Sequence, residues 1–285
     1  MIENRGVISA SMLLHTQDPY YGEDDVFTLV IKSPKYLDAE IEKHGNLASN
    51  SSSSRANPYP ETKGEMGYFI PSHHHVYAKE RAMFGKQLVD DELYDRLVNV
   101  LEGLHDHIID ELAPFKDIVH KQTLNRYLTA FAMQYKVLTM TRLAWENFYG
   151  LRSATDADPA IRELAECMNA AIGASEPAQR CAHIPMVEDI DIGGTYTLLE
   201  RCRISAGRIA NISYSHVNSM EPETAMHLAE RLIENGHKTP FEHQLLPFAN
   251  FPETITHKDM DGHFYSGRIR GWGQFRKWLF EEALC

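Results

Sequence analysis

The sequence predicts an α+β protein in which short strands near the N-terminus precede several long helices. Residues 26–31 (VFTLVI) are rich in β-branched and aromatic side chains, a composition typical of a buried strand, and residues 7–16 are predicted as a strand or the edge of one. Residues 87–113 instead carry leucine or isoleucine every three or four positions before Pro114, which predicts an amphipathic helix. We expect the apolar side of that helix to face the core through Leu93, Leu97, Leu101, Leu104, Ile108 and Leu112.

Length and charge narrow the class of protein. The chain has 285 residues, 43% of them hydrophobic, which is ordinary for a globular protein. The formal net charge of −12 argues against nucleic acid as a partner, because non-specific nucleic-acid binding needs a basic face. No apolar run reaches the roughly 20 residues of a membrane helix, and no signal peptide opens the chain. We therefore expect a cytoplasmic protein without a membrane partner.

The four cysteines are scattered through the second half of the chain. None forms a Cys-x-x-Cys pair, so neither a zinc ribbon nor a disulfide framework is indicated. None lies in a recognisable setting for a thiol nucleophile. They are Cys167, Cys181, Cys202 and Cys285.

Residues 43–58 (KHGNLASNSSSSRANP) have the composition of a phosphate-binding loop. Ser51 to Ser54 offer hydroxyl groups and successive backbone N–H groups, and Arg55 offers a planar set of donors. By composition alone a flexible serine-rich linker is the alternative. The position favours the binding loop, because the serines follow a helix-like segment at residues 35–44 and end before Pro58.

Two histidine-containing segments raise the question of metal binding. His73, His74 and His75 are consecutive, and adjacent residues point in different directions on any regular element. A loop that contains histidines is the preferred interpretation there. Residues 237–243 (HKTPFEH) contain two histidines and a glutamate, which would suit a zinc hydrolase, but this spacing does not place them on one helical face.

The remaining segments are predicted mainly as helices. They cover residues 120–132, 141–151, a stretch that starts with Asp158 as N-cap and Pro159, and 202–215. A further helix covers 222–235, with Gly236 just beyond its end, and a basic-aromatic helix covers 267–284. Residues 173–197 are loop-like and join two motif-bearing halves, 1–173 and 198–285, of one predicted domain spanning residues 1–285.

Three motifs together resemble the flavin-dependent thymidylate synthases, which methylate deoxyuridylate without a cysteine nucleophile. The family motif Arg-His-Arg-x-x-Ser-x-Asn-x-x-Ser-x-Arg aligns with residues 43–55, and His-x-Ser/Thr-Pro-Phe-Glu-His aligns with 237–243. Asn-Phe-x-x-Leu-Arg matches residues 147–152. Long members of the family, in which the motif order is rearranged, also carry Ser-Ser-Arg-Ala and Gly-Trp-x-Gln-x-Arg-Lys segments like 53–56 and 271–277. The seven fixed places of the first motif are occupied by Lys43, His44, Gly45, Ala48, Asn50, Ser53 and Arg55.

The first motif departs from the family pattern. Gly45 stands in place of the second arginine, Ala48 in place of serine, and Ser51 where short members often have glutamate. Lys43 replaces the first arginine and keeps its charge without the bidentate fork. Binding of flavin or substrate is therefore expected to be reshaped, or the preferred substrate has changed.

The resemblance implies C5-methylation of a uracil nucleotide, dUMP to dTMP, with FAD as cofactor. Methylenetetrahydrofolate would donate the carbon and NADPH would be the reductant. The fold implied is an antiparallel sheet flanked by long helices, in a homotetramer whose sites combine several subunits. Methylation of UMP, hydroxymethylation of a pyrimidine nucleotide, and a non-catalytic flavin- or nucleotide-binding homologue are alternatives.

The resemblance also implies roles for individual residues, and none of them is a metal ligand. Arg152 would be catalytic, since an arginine at the pyrimidine edge can stabilise negative charge that develops on the ring. The implied substrate contacts are Lys43, Ser51, Ser53, Ser54, Arg55, Arg126, Arg152 and Gln274. The implied flavin contacts are Lys43, His44, Asn50, Asn147, Thr239 and Glu242.

Overall fold

The fold was analysed in a computed structural model of the chain. It describes residues 5–17, 25–63, 66–79, 87–188, 190, 195–214, 220–247, 256–258, 260, 262 and 264–281. In chain order the elements are β1 (Ser9–Gln17), β2 (Val26–Pro34), α1 (Asp38–Glu42), β3 (Leu47–Ser51), α2 (Asp91–Leu112), α3 (Lys121–Arg126), β4 (Met133–Thr141), α4 (Arg142–Arg152), α5 (Pro159–Gly173), β5 (Ala178–Gln179), α6 (Leu198–Asn211), α7 (Pro222–Glu234), β6 (Leu245–Leu246), β7 (His257–Lys258), β8 (Phe264–Tyr265), β9 (Gly273–Gln274) and α8 (Phe275–Glu281).

The main sheet has the strand order β3-β4-β2-β1-β5. The first four strands are antiparallel, and the short β5 pairs in parallel with the end of β1. Strands β2 and β4 pair along their whole length, from Val26 opposite Thr141 to Pro34 opposite Met133. The α+β class and the antiparallel sheet are therefore as predicted.

The two larger apolar cores of the described chain lie in different parts of the sequence. Phe27, Leu29 and Ile31 point to the face that packs against α5, where Leu164 and Met168 are fully buried. A second apolar core lies entirely in residues 182–280, where α6, α7, α8 and a 3₁₀ turn at Thr239–Glu242 pack together. The second core thus combines the C-terminal helices with part of the joining segment, through Ile184, Val187 and Ile190.

Local sequence signals account for several helix ends. The carboxylate of Asp158 accepts hydrogen bonds from the backbone N–H groups of Ala160 and Ile161, and Pro159 occupies the first turn of α5, as predicted. Helix α7 ends before Gly236, whose φ of +69° is the left-handed conformation expected just after a helix. In the described part of the chain no helix is long and apolar enough to cross a bilayer.

The central strand β4 was not predicted from the sequence. Its segment MQYKVLTMT contains Gln134 and Lys136, which obscure the pattern of a buried strand, yet both side chains are buried. Lys136 is only 1% exposed because its ammonium group lies 2.8 Å from Asp38 and 2.5 Å from Glu42 of α1. Long-range ion pairs of this kind are invisible to local periodicity.

Residues 43–58 do not form one continuous loop. Leu47–Ser51 is strand β3, paired with β4 from Leu47 opposite Met140 to Ser51 opposite Lys136. The predicted helix over 120–132 ends at Arg126, and the basic-aromatic helix begins only at Phe275. Its expected first turns form a loop and the short strand β9, because residues 273–274 pair with β6.

Helix α2 begins at Asp91, four residues later than predicted, and ends at Leu112, one residue before the predicted end. Part of its predicted core face is exposed. Leu93 and Leu104 are each 48% exposed, whereas Val98 and Ile109 are buried. The apolar positions cover about half of the helix circumference. Only the side near Ile70 and Phe131 is covered by the rest of the described chain.

A buried chain of hydrogen bonds joins the sheet to the second half. Thr28 and Thr139, on neighbouring strands, contact each other through their hydroxyl oxygens at 2.5 Å. The Thr28 hydroxyl also contacts His183 Nε2 at 2.8 Å, and the Thr139 hydroxyl contacts His243 Nδ1 at 2.9 Å. Complete burial lowers the pKa of both His183 and His243 to about 3.

Because His183 and His243 are buried as neutral rings, we expect the free energy of unfolding to decrease in mild acid. The unfolded chain binds protons near pH 6.5 and the folded chain does not until about pH 3, so the stabilising contribution is complete above pH 6.5 and decreases below it. At pH 5 the loss should be about 2 kcal/mol for each histidine. Urea unfolding of wild type and His183→Asn between pH 7.5 and 4.5 tests this. The variant should release about one proton fewer on folding, and an unchanged pH slope would contradict the assignment.

Candidate functional site

A cavity of about 680 Å³ lies where the segment after α1 meets the end of β4, the start of α4 and the loop at residues 267–270. That volume is in the range of small-molecule sites. One part of its wall is apolar and another is polar or cationic. The lining residues are His44, Gly45, Asn46, Leu47, Met140, Thr141, Leu143, Ala144, Asn147, Gly267, Arg268 and Arg270.

His44 lines the cavity as a neutral imidazole. Its ring packs on Phe148 with centroids 4.6 Å apart, and its Nε2 accepts a hydrogen bond from Arg152 Nε at 2.9 Å. Burial and, next, the charge of Arg152 lower the pKa of His44, while a hydrogen bond with Asn147 acts in the opposite direction. Since Nε2 is an acceptor, the neutral ring carries its proton on Nδ1.

Arg152 is held in place by Glu40, through both its carboxylate and its backbone carbonyl. Its Nη1 donates to Glu40 Oε2 at 2.5 Å and its Nη2 donates to the Glu40 carbonyl at 3.1 Å. A guanidinium has five N–H groups. Three of them bond to described residues, with His44 as the third partner, so among the described residues two N–H groups remain for another acceptor. The structure therefore brings together His44, Asn147 and Arg152 from two separate motifs.

The serine run lies at the other end of β3. The backbone N–H of Ser52 donates to Tyr135 and that of Ser53 donates to Ser213. The hydroxyl of Ser54 contacts Lys35 Nζ at 2.5 Å and Glu61 Oε1 at 3.2 Å. Part of the donor capacity predicted for phosphate is thus used within the protein.

Helix α3 packs on this same segment. Asn125 is fully buried and donates to the carbonyl of Ser54, while Lys121 Nζ donates to the carbonyl of Ala56 at 2.8 Å. Arg126, the last residue of α3, and Arg55 are both exposed. The two arginines predicted for a phosphate therefore belong to adjoining segments.

Within one chain the predicted nucleotide contacts form two groups. Leu47 lines the cavity, and Ser51 lies four residues further along β3, about 14 Å away in an extended strand. Ser53, Ser54 and Arg55 follow Ser51. The ring contact predicted for Arg152 and the phosphate contact predicted for Arg55 are therefore separated by about the length of strand β3.

Lys43 and Asn50 have partners within the protein. Lys43 is exposed and its ammonium group contacts Glu40 at 3.2 Å. Asn50 is buried, and its side-chain amide donates to the Ile209 carbonyl of α6 at 3.0 Å. That contact connects β3 with the second half of the chain.

The segment HKTPFEH forms a short 3₁₀ turn at Thr239–Glu242. Thr239 is exposed, whereas Glu242 is 3% exposed and accepts a hydrogen bond from Arg276. Gln274 is buried: its Nε2 donates to the Glu242 carbonyl and its Oε1 accepts from the backbone N–H of Arg268. Gln274 thereby connects this turn to the cavity loop.

The backbone turn at Gly267 explains that connection. Gly267 has a φ of +100°, and a Cβ atom there would lie 1.8 Å from Gln274 Oε1. Only glycine allows Gln274 to reach the Arg268 N–H. The loop that carries Arg268 and Arg270 is therefore held by a specific contact rather than left open.

The segment considered for a zinc hydrolase does not gather its ligands. His237 is exposed, Glu242 is paired with Arg276, and the Nδ1 of buried His243 contacts Thr139. Among the described residues, the group with metal-ligand spacing is His74, His75 and Glu163.

In that group the ligand atoms already form hydrogen bonds. Glu163 Oε2 lies 2.8 Å from His74 Nε2 and 2.6 Å from His75 Nε2. The Ser72 backbone N–H donates to His75 Nδ1, so the neutral ring carries its proton on Nε2, facing the carboxylate. A metal at Nε2 would require the other tautomer and the loss of the Ser72 contact.

Four residues important to these sites were not predicted from the sequence. Glu40 positions Arg152, Arg276 pairs with Glu242, and Arg268 and Arg270 line the cavity. Arg268, Arg270 and Arg276 fall in the segment predicted as a basic-aromatic helix, and Arg276 also falls in the Gly-Trp-x-Gln-x-Arg-Lys segment. Which of them line the cavity and which pairs with Glu242 depends on tertiary contacts that local periodicity does not predict.

No protein-family model and no curated protein matches the sequence. Solved structures do match. A crystal structure of a UMP/dUMP methylase PolB from Streptomyces cacaoi with 5-Br UMP is 12% identical, with a TM-score of 0.50 over 59% of this chain and 90% of that chain. The same methylase with 5-Br dUMP is 14% identical, with a TM-score of 0.49 over 60% and 92%. At such identity the first similarity concerns the fold, and it confirms the predicted α+β class.

Proposed function

We propose that this protein is an enzyme that methylates C5 of a uracil nucleotide in a flavin-dependent reaction. The observation that carries the proposal is that His44 and Asn147 line one cavity and that Arg152 donates a hydrogen bond to His44, although the two motifs are about 100 residues apart. His44 comes from one motif of the resemblance, and Asn147 and Arg152 come from another. The solved structure of similar fold is a methylase of UMP and dUMP, which agrees with this class of substrate.

The residues at the cavity fit a flavin. Leu47, Met140 and Leu143 offer an apolar wall for a planar ring, and His44 and Asn147 offer polar groups at its edge. Thr239, Asn50, Lys43 and Glu242 would complete the set in the proposal. Bound FAD would carry reducing equivalents from NADPH to the carbon supplied by methylenetetrahydrofolate.

Arg152 is the proposed catalytic residue. Its two remaining N–H groups can donate to an oxygen of the pyrimidine, and its charge stabilises the negative charge that develops on the ring when C5 acts as a nucleophile. Glu40 and His44 hold the guanidinium in place beforehand. Because the donor is oriented in the resting protein, little reorganisation is required during the reaction.

The substrate phosphate is proposed to bind at Ser51, Ser53, Ser54 and Arg55, with Arg126 nearby and Lys43 and Gln274 contributing to the nucleotide site. In a single chain these serines are about one strand length from Arg152. A homotetramer in which one subunit supplies the phosphate contacts and another supplies Arg152 would remove this separation. The oligomeric state is therefore part of the proposal.

The proposal is tested with the purified full-length chain. A flavin absorption band, or heat released on titration with FAD, is expected first. Turnover should then be measured with dUMP or UMP, methylenetetrahydrofolate and NADPH. Absence of any flavin binding would refute flavin dependence, whereas flavin binding without turnover on a panel of pyrimidine nucleotides would favour the non-catalytic homologue.

The cysteines should be dispensable. Burial raises the pKa of the Cys167 and Cys202 thiols, which disfavours the reactive thiolate, while Cys181 is exposed. Cys285 lies outside the described residues. Replacing each by alanine or serine should keep kcat within a few-fold. A loss of about 10³-fold in one folded variant would show that a thiol takes part in the chemistry.

A further inference from the structure

We infer that Arg268 and Arg270 form the phosphate-binding wall of the cavity and receive the diphosphate of its ligand. The inference rests on the proposed function for the identity of the ligand, but not for the chemistry of the wall. Both arginines belong to the loop at residues 267–270, which lines the same cavity as His44 and Gly45. Neither was assigned a role by the motifs.

The lining of the cavity is cationic. The lining includes two arginines and a neutral histidine but no aspartate or glutamate among the described residues. The whole chain has a formal net charge of −12. Two guanidinium groups on the lining of a cavity in an acidic protein favour an anionic ligand.

The lining of the cavity also offers apolar surface. Leu47, Met140, Leu143 and Ala144 provide apolar surface in the same cavity as the two guanidinium groups. A ligand that matches both parts has a planar or apolar body and an anionic end. Phosphate esters of nucleotides or flavins have this form, and guanidinium groups bind phosphate oxygens with paired N–H donors.

The loop is held so that its side chains keep their position. The Arg268 backbone N–H donates to Gln274 Oε1 at 3.0 Å, and this bond depends on Gly267. Among the described residues, the Arg268 guanidinium forms no hydrogen bond of its own, and it influences Glu42 only through its charge. Its donors therefore remain available to a ligand.

Gly45, another residue of the cavity lining, provides a means of restoring the charge. A Cβ atom at Gly45 would meet nothing within 4 Å, and its backbone is not in the left-handed region. An arginine side chain at this position can therefore be accommodated and would enter the same cavity. Gly45→Arg should partly replace the cationic wall.

The experiment measures binding rather than turnover. Arg268→Gln, Arg270→Gln and the double variant are titrated with FAD, riboflavin, dUMP, deoxyuridine and inorganic pyrophosphate. Arg96→Gln is the matched control, since Arg96 is an exposed arginine of α2 that does not line the cavity. Circular dichroism confirms that each variant is folded.

For FAD and pyrophosphate, we expect the double variant to lose about 10- to 100-fold in affinity and riboflavin affinity to stay unchanged. Adding Gly45→Arg should recover at least part of the loss, and Arg96→Gln should bind like wild type. If dUMP rather than FAD shows the loss relative to deoxyuridine, the wall binds a phosphate but from the substrate, and the assignment to a diphosphate is overturned.

The result separates this inference from the proposed function. Arginine-dependent binding of pyrophosphate without any binding of FAD would support the phosphate-binding wall and contradict flavin dependence. Normal FAD affinity in the double variant would overturn the wall and leave the proposed function intact. Failure of wild type to bind pyrophosphate, FAD and dUMP would overturn both.

Discussion

Arg152→Ala is expected to lower kcat for methylation of the uracil nucleotide by about 10²–10³-fold. In the proposed site the guanidinium would contact the ring where charge changes during the reaction, so its loss should weaken binding of the transition state more than binding of the ground state. Arg152→Lys should recover little of the activity, since an ammonium group cannot contact Glu40, His44 and the ring at once.

Flavin content and thermal stability control for collapse of the site in these variants, because Arg152 also holds Glu40 and His44. Arg55→Ala is the kinetic comparison. A phosphate looks the same in substrate and transition state, so this change should mainly raise KM for the nucleotide. If Arg152→Ala keeps wild-type kcat with flavin bound, its proposed catalytic role is wrong.

Gly207→Ala is expected to destabilise the second half of the chain by about 3 kcal/mol, the upper end of the usual range for overpacking. A Cβ atom at Gly207 would lie 2.1 Å from the Ala225 carbonyl oxygen and 2.7 Å from its carbon. These are backbone atoms of α7, so α6 and α7 would have to move apart and disturb the core that contains Phe241 and Phe275.

Gly103→Ala is the matched control. Gly103 lies inside α2 and has open space around its Cβ position, so alanine should stabilise that helix by about 0.5–1 kcal/mol. Urea unfolding of the two variants measures both signs. Equal stability changes at Gly103 and Gly207 would show that the close approach of α6 and α7 is not required.

The residue pattern was sufficient for elements whose signals are local. Asp158 and Pro159 predicted the start of α5 because a cap involves only neighbouring residues. Gly236 marked the end of α7 for the same reason. The β-branched run of β2 predicted a buried strand, and every residue in it from Val26 to Ile31 is buried.

The pattern failed where burial depends on distant partners. Lys136 is buried in the central strand because Asp38 and Glu42 lie beside it, about 100 residues earlier in the chain. Leu93 and Leu104 have the spacing of core residues, but no described element covers them. Periodicity predicts which side of a helix is apolar, whereas tertiary packing decides how much of that side is covered.

By itself the sequence determined the α+β class, most of the helices, and the motif residues His44, Asn147 and Arg152. Only the tertiary structure decided that these three lie together while Ser53, Ser54 and Arg55 lie elsewhere on the same chain. The tertiary structure also decided that Arg268 and Arg270 line the cavity. Their loop is held by the hydrogen bond from the Arg268 N–H to Gln274 Oε1, which the turn at Gly267 allows. Motif spacing gives the order of these residues along the chain, whereas the pairing of β3 with β4 sets the distances between them in the folded protein.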